Sequence, residues 1–365
     1  MKKIRKIGIL TGGGDCPGLN AVIRAVVHTA QRQYGIKVCG IMDGYAGLIH
    51  KNVCQLELAD VSGILPRGGT ILGTSNRDNP FHYAKETPTG PGDYHDVSAE
   101  ALKTIEYNEI DALLTVGGDG TQICAQKFFE KYQLPVIGIP KTIDNDLNGT
   151  DVTFGFDTAL GVATSAIDRL HSTAEAHHRV MVIEVMGRYA GWIALHAGMA
   201  GGGDVILIPE IPFKMDKICA KILERQKMGK RFSLIVVAEG AKAVDGQVVV
   251  SRQVPDGSDP VRLGGIAALV CNQIEDQTGI ESRFTILGHV QRGGSPTPYD
   301  RILATRFGYH AVAAAFNRKF GYMVGLRGTE IKTTLLREAI AVPRRVDPDS
   351  DMVKTAMAVS TSFGI

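Results

Sequence analysis

The sequence predicts an α/β protein built on doubly wound parallel sheets. Three observations carry that prediction: short runs of consecutive apolar residues recur along the chain, helix-like stretches lie between them, and glycine-rich turns follow several of the runs. A continuous apolar run, with little alternation, is what a parallel strand covered on both faces requires. Alternation of such strands with helices belongs to the doubly wound class.

The strand-like runs are 7–10, 38–42, 112–116, 136–139, 180–185, 205–208 and 234–238. Helix-like stretches cover 18–33, 121–131, 158–172, 190–199, 264–278 and 298–317. A length of 365 residues suggests roughly two domains. The Asx-rich run Asp144–Asp151 has the turn chemistry of a boundary, and a new helix–strand series follows it near 150–160. Residues 78–98 read as exposed loop because Asp, Asn, Pro and Gly interrupt them, and the chain after about 340 is weakly patterned.

Composition narrows the function classes. An apolar fraction of 44% and a charged fraction of 21% suit a folded globule. A net charge of +2 gives no general nucleic-acid footprint. No apolar run reaches membrane-spanning length, and the basic start at Met1–Lys6 leads into too short a run for a signal peptide. The six cysteines have no paired spacing, so free thiols and a cytoplasmic location are expected.

Three clusters follow predicted strands. Thr11–Asn20 carries Gly12, Gly13 and Gly14 ahead of a helix, where backbone N–H groups can approach phosphate oxygens. A tight turn that binds nothing accounts for it equally well. Gly117–Thr121 repeats the strand–glycine–helix arrangement with Asp119 inside it, either as a hard oxygen ligand for Mg²⁺ or as a helix cap. Pro140–Leu147 carries Asp144 and Asp146 two apart, so both can face one side as a proton-accepting pair, or the loop can hold itself together by Asx turns. Basic residues Arg179, Arg188, His289 and Arg292 stand at strand ends beside glycines, where arginine forks suit phosphate. Glu239 also ends a strand and can accept sugar hydroxyl hydrogen bonds.

Taken together, GGGDCPGLN at 12–20, GGDGT at 117–121, PKTIDND at 140–146, EVMGRYAG at 184–191 and LGHVQRGGSPTPYDR at 287–301 closely resemble the 6-phosphofructokinase family. The resemblance spans about residues 5–315. It implies two similar doubly wound α/β domains with the active site in the cleft between them. The larger would comprise 1–155 plus about 293–340 and bind the donor; the smaller, 156–292, would bind the sugar phosphate. The reaction implied is phosphorylation of fructose 6-phosphate at its 1-hydroxyl, dependent on Mg²⁺, with ATP or pyrophosphate as donor.

Carried over residue by residue, Asp144 resembles the catalytic base, with Arg188 steadying the transferring group. Asp119 resembles the metal-associated carboxylate. Gly13, Gly118, Gly120 and Thr121 resemble the donor cradle, and Arg77 matches a donor-contacting arginine. Thr142, Ile143, Met186, Gly187, Glu239, His289, Val290, Gln291 and Arg292 match sugar-phosphate contacts. Arg179 and Arg283 match arginines that reach the active site of a neighbouring subunit, implying a homodimer or homotetramer.

Gly120 and Lys141 bear on the donor. In the family a glycine at 120 accompanies ATP and an aspartate pyrophosphate, whereas lysine at 141 accompanies pyrophosphate. ATP is expected here, because steric exclusion at 120 is harder to bypass than one added charge. At an effector site implied by the resemblance, Arg24 and Arg67 match arginines but His28 and His171 replace two others, so control by ADP or phosphoenolpyruvate is expected to be weak. A dehydrogenase lacks support because the GxGxxG fingerprint is missing. Diacylglycerol- and NAD-kinase-like enzymes share GGDGT but not the other motifs. A non-catalytic sensor is not favoured, since Asp119 and Asp144 are both present.

Overall fold

The computed structural model describes residues 3–87, 90–246, 248–253 and 261–365. Met1 and Lys2 of the basic start, and 88–89 of the predicted 78–98 loop, lie outside them. The strands of the first half are β1 (Lys6–Thr11), β2 (Lys37–Ile41), β3 (Val53–Leu56), β4 (Tyr83–Thr87), β5 (Gly90–His95), β6 (Ala112–Gly117) and β7 (Val136–Pro140). Then come β8 (Val180–Val185), β9 (Val205–Leu207), β10 (Ser233–Ala238), β11 (Val250–Gln253), β12 (Val261–Leu263) and β13 (Ser282–Ile286). The last two are β14 (Tyr322–Arg327) and β15 (Glu330–Leu335).

Seven strands form one sheet in the order β15-β14-β7-β6-β1-β2-β3. It is parallel from β14 to β2, with antiparallel β3 and β15 at its edges. A second sheet, order β13-β8-β10-β9, is parallel throughout. Every residue of β6, β7, β8 and β10 is buried, which is why these runs are apolar without alternation. One apolar cluster runs through both sheets, from Ile9 and Ile139 by way of Phe154, Phe156 and Ile167 to Ile183 and Val236.

Two helices bring the halves of the chain together. Leu19–Tyr34 packs against Pro298–Phe316. The latter starts cleanly: Thr297 accepts from the Asp300 N–H at 3.3 Å, and Pro298 occupies the first helical position. The carboxylate of Asp300 in turn accepts from the Thr158 N–H at 2.8 Å and hydroxyl at 2.6 Å, tying that helix to the start of Phe156–His177. Among the described residues no helix is long and apolar enough to cross a membrane.

The 78–98 segment is corrected. It contains an antiparallel hairpin, β4 with β5, outside both sheets, where the structure pairs backbone that the turn-forming residues had marked as loop. The weakly patterned end is ordered too. Helix Asp351–Ala358 precedes an extended stretch in which Ser362 pairs with Val205 on the β9 edge.

Candidate active site

Most of the predicted residues follow directly on strands of the two sheets. Gly12 and Gly13 follow β1, Gly118–Thr121 follow β6, and Lys141–Asp144 follow β7. Met186–Arg188 follow β8, Glu239 follows β10, and His289–Arg292 form a short 3₁₀ turn after β13. These are the carboxyl ends of parallel strands, where open α/β sheets place ligands.

The glycine turns are fitted to each other. A Cβ on Gly12 would stand 2.6 Å from the Thr121 hydroxyl oxygen, so only glycine lets the two turns close together. Thr121 is thereby buried as a spacer, with its carbonyl accepting from the Tyr45 hydroxyl at 2.9 Å. Gly120 differs. A Cβ there meets nothing within 4 Å, so packing does not demand glycine and the space faces outward. Asp119 begins helix Asp119–Tyr132, is exposed, and accepts from the Gly120 N–H at 2.7 Å. Arg77 is exposed beside the first turn: its N–H donates to Ser75 Oγ at 3.2 Å, and the Ser75 carbonyl accepts from Gly13 N–H at 3.0 Å.

Lys141 is almost wholly buried, and its ammonium donates to the Gly14 carbonyl. Burial lowers its pKa, opposed by Cys16 and carboxylates around it. Arg292 comes to the same turn from the second sheet, donating to the Asp15 carbonyl at 3.1 Å. A Cβ on Gly14 would lie 2.6 Å from its guanidinium, so glycine makes room for this arginine. Sequence reasoning missed this meeting at Gly14 and Asp15, because backbone carbonyls carry no residue signature.

Asp144 stands at the centre. Its N–H donates to Thr142 Oγ1 at 3.0 Å, while its Oδ1 is buried with no hydrogen-bond partner. Burial raises its pKa; Arg292, Lys141 and Arg188 oppose the rise, and Asp119 adds to it. Burial and the neighbouring Asp144 push Asp146 up to about 7. Burial and Asp144 likewise raise Glu239 to about 7. These causes place Asp119, Asp144, Asp146, Lys141, Arg188, Glu239 and Arg292 in one electrostatic neighbourhood drawn from both sheets. Ile143 is buried under the loop. Gln291 Oε1 accepts from the Met186 N–H at 3.3 Å, which joins the turns after β8 and β13, while Val290 is exposed.

Arg179 and Arg283 lie elsewhere. Arg179 precedes β8, and Arg283 pairs in register with Met181, so both sit at the amino end of that sheet. A six-residue strand separates that end from Arg188 by about 20 Å. Glu281 binds both, at 2.8 Å to Arg179 and 2.5 Å to Arg283. Burial, with Arg24 and Arg32, lowers the pKa of His28; His171 packs edge-on against Phe232 at 4.9 Å.

Residues 6–315 match the phosphofructokinase family model. The chain belongs to the phosphofructokinase family. It is 52% identical over 364 residues to "ATP-dependent 6-phosphofructokinase 2" of Clostridium perfringens, covering 100% of this chain and 99% of that relative. It is 49% identical over 347 residues to "Pyrophosphate--fructose 6-phosphate 1-phosphotransferase" of Streptomyces coelicolor, covering 94% and 96%. Among solved structures, Saccharomyces cerevisiae phosphofructokinase superposes with a TM-score of 0.79 at 31% identity; the match covers 98% of this chain and 47% of that one. A pyrophosphate-dependent phosphofructokinase from Nitrosospira multiformis shares the fold, with a TM-score of 0.80 at 21% identity over 98% of this chain and 92% of that one. Sequence relatives named for each donor thus match this chain over nearly its whole length.

Among the described residues no group of three or more His, Cys, Asp or Glu is arranged to hold an ion alone. Magnesium is commonly held by one or two carboxylates together with substrate phosphates and waters, and the exposed carboxylate of Asp119 fits that demand.

Proposed function

We propose that the protein is an ATP-dependent 6-phosphofructokinase, transferring the γ-phosphoryl group of Mg-ATP to the 1-hydroxyl of fructose 6-phosphate. The observation carrying this reading is Asp144: a buried carboxylate with an unpartnered oxygen, ringed by Asp119, Lys141, Arg188 and Arg292. An incoming hydroxyl would satisfy Oδ1 and lose its proton to it. Arg292, His289 and Glu239 would hold the sugar phosphate, with Thr142, Ile143, Met186, Gly187, Val290 and Gln291 shaping its seat. Gly13, Arg77 and Gly118–Thr121 would hold the donor, and Arg188 would offset charge on the group in transit. Bound Mg²⁺, held through Asp119, would supply neutralisation of phosphate charge.

The two sheets support a reading as two doubly wound domains, 1–155 with about 293–340 and 156–292, with the active site in the cleft between them. The distance of Arg179 and Arg283 from Arg188 supports their reaching a neighbouring subunit's site in a homodimer or homotetramer. A cytoplasmic location goes with this reading.

Pyrophosphate is the second reading, favoured by one observation: the buried Lys141 ammonium reaches the first glycine turn. The open space at Gly120 favours ATP. The experiment is turnover of fructose 6-phosphate with Mg²⁺ and either donor at matched concentration. Faster turnover with ATP supports the proposal, preference for pyrophosphate supports the second reading, and no turnover with either sinks both.

A further inference from the structure

Residues 342–346 belong to neither sheet, yet they grip the loop that carries Asp144. The Arg344 N–H donates to the Asp146 carbonyl at 2.7 Å. Its guanidinium donates to the Asn145 carbonyl at 3.2 Å, across 199 positions of sequence. Thus one arginine holds the two peptide carbonyls that follow Asp144. On its other side the guanidinium lies over the Trp192 ring at 4.3 Å, and the Trp192 indole N–H donates back to the Arg344 carbonyl at 3.1 Å. Trp192 opens helix Trp192–Ala200, four residues after Arg188. Two residues beyond Arg344, the Val346 N–H donates to Glu210 Oε1 at 2.9 Å, and that carboxylate also accepts from the Gly191 N–H at 3.0 Å.

The turn is held from both sides. Asn145 has φ of 53°, a left-handed conformation that asparagine tolerates better than most side-chain-bearing residues. Its own side chain accepts from the Thr153 N–H at 3.0 Å, which anchors the turn on one side; Arg344 anchors the other. The planar fork makes the stack and the carbonyl contact together, which a lysine ammonium cannot do.

We propose that Arg344 is a positioning residue: it sets the backbone of the Asp144–Asp146 turn, and its stack on Trp192 couples that turn to the segment carrying Arg188. Trp192 is the single tryptophan of the chain, so its emission reports on this contact. The inference rests on the reading of Asp144 as the reacting carboxylate.

The test compares wild type with Arg344→Lys and Trp192→Phe, after circular dichroism and thermal unfolding confirm that each folds. Arg344→Lys is expected to lower kcat by about 10–100-fold with little change in KM, as for a small misplacement of a reacting group. Trp192→Phe keeps an aromatic face but loses the indole donor, and lowers kcat less. Wild-type Trp192 emission is expected to change on adding fructose 6-phosphate with Mg-ADP, which lacks the γ-phosphoryl group and so forms a non-reacting pair, and Arg344→Lys to lose that response. A purely structural Arg344 would lower Tm and leave kcat and the emission response in place, which overturns the proposal. Wild-type emission unmoved by saturating ligands overturns it as well. If wild type turns over with neither donor, the functional reading fails, and the emission titration alone decides whether Arg344 links ligand to turn.

Discussion

The Lys141 ammonium donates to the carbonyl of Gly14, so the third cluster after β7 holds the first cluster after β1 in place. A residue read for its charge therefore also shapes the glycine turn after β1. We expect Lys141→Met to lower pyrophosphate-driven turnover by roughly tenfold or more, about 1.4 kcal/mol of transition-state stabilisation, and ATP-driven turnover by less. Steady-state kcat/KM with each donor checks this; equal losses would show that Lys141 acts only as a tie between loops.

Gly120 faces open space, and a Cβ there meets no protein atom within 4 Å. In the first turn of helix Asp119–Tyr132 an added carboxylate is stabilising by about 0.3–1 kcal/mol. Gly120→Asp is therefore expected to keep its Tm while ATP-driven turnover drops roughly tenfold or more through crowding and charge repulsion. Unfolding scans and kinetics on one preparation separate the two effects; an unchanged rate with ATP removes position 120 from donor choice.

Asp144→Asn keeps the shape and removes the carboxylate proposed as the base. Turnover is expected to fall by about 10²–10⁴-fold with sugar phosphate still bound. Because burial raises the Asp144 pKa, wild-type kcat should climb with pH as the carboxyl loses its proton, and the residual activity of the variant should lack that limb. A pH–rate profile for both proteins is the check, and a shared limb would assign it to another group.

Glu239 titrates near 7 in the folded chain against an ordinary value of 4.5. Between those values the folded state keeps a proton that the unfolded state has released, so stability falls as pH rises through the window. Glu239→Gln should lose less Tm across that interval than wild type. Parallel Tm profiles from calorimetry would mean the raised pKa has been misassigned.

The elements legible in the sequence were those whose environment is uniform. Val180–Val185 and Ala112–Gly117 are buried at every position, so their apolar runs announce themselves. β15 alternates exposed and half-buried residues only over Glu330–Thr333 and has no fully buried residue up to Leu335, which leaves a weak signal beside Lys332 and two threonines. The hairpin at β4 and β5 is masked by Pro and Gly. In the candidate site, glycines and carboxylates after buried strands singled out Asp119 and Asp144 by residue type and spacing, and the structure sets both after the carboxyl ends of β6 and β7. Arg344 gave no sign, because its meaning lies in carbonyls 199 positions away and in the face of Trp192. Likewise, nothing local to Arg292 reveals that it ends on the Asp15 carbonyl.

The pairing of β7 with β14 sets a timetable for synthesis. Ile137 waits for Tyr322, so 185 residues (322 minus 137) must be added before that edge is covered. At about 5–20 residues per second the ribosome takes roughly 10–40 s to supply them. Throughout that interval Val136–Pro140, an apolar strand whose every residue ends up buried, offers an open edge to any nascent neighbour. Yield on overexpression should therefore depend on translation speed and on holdase chaperones more than on the stability of the finished fold.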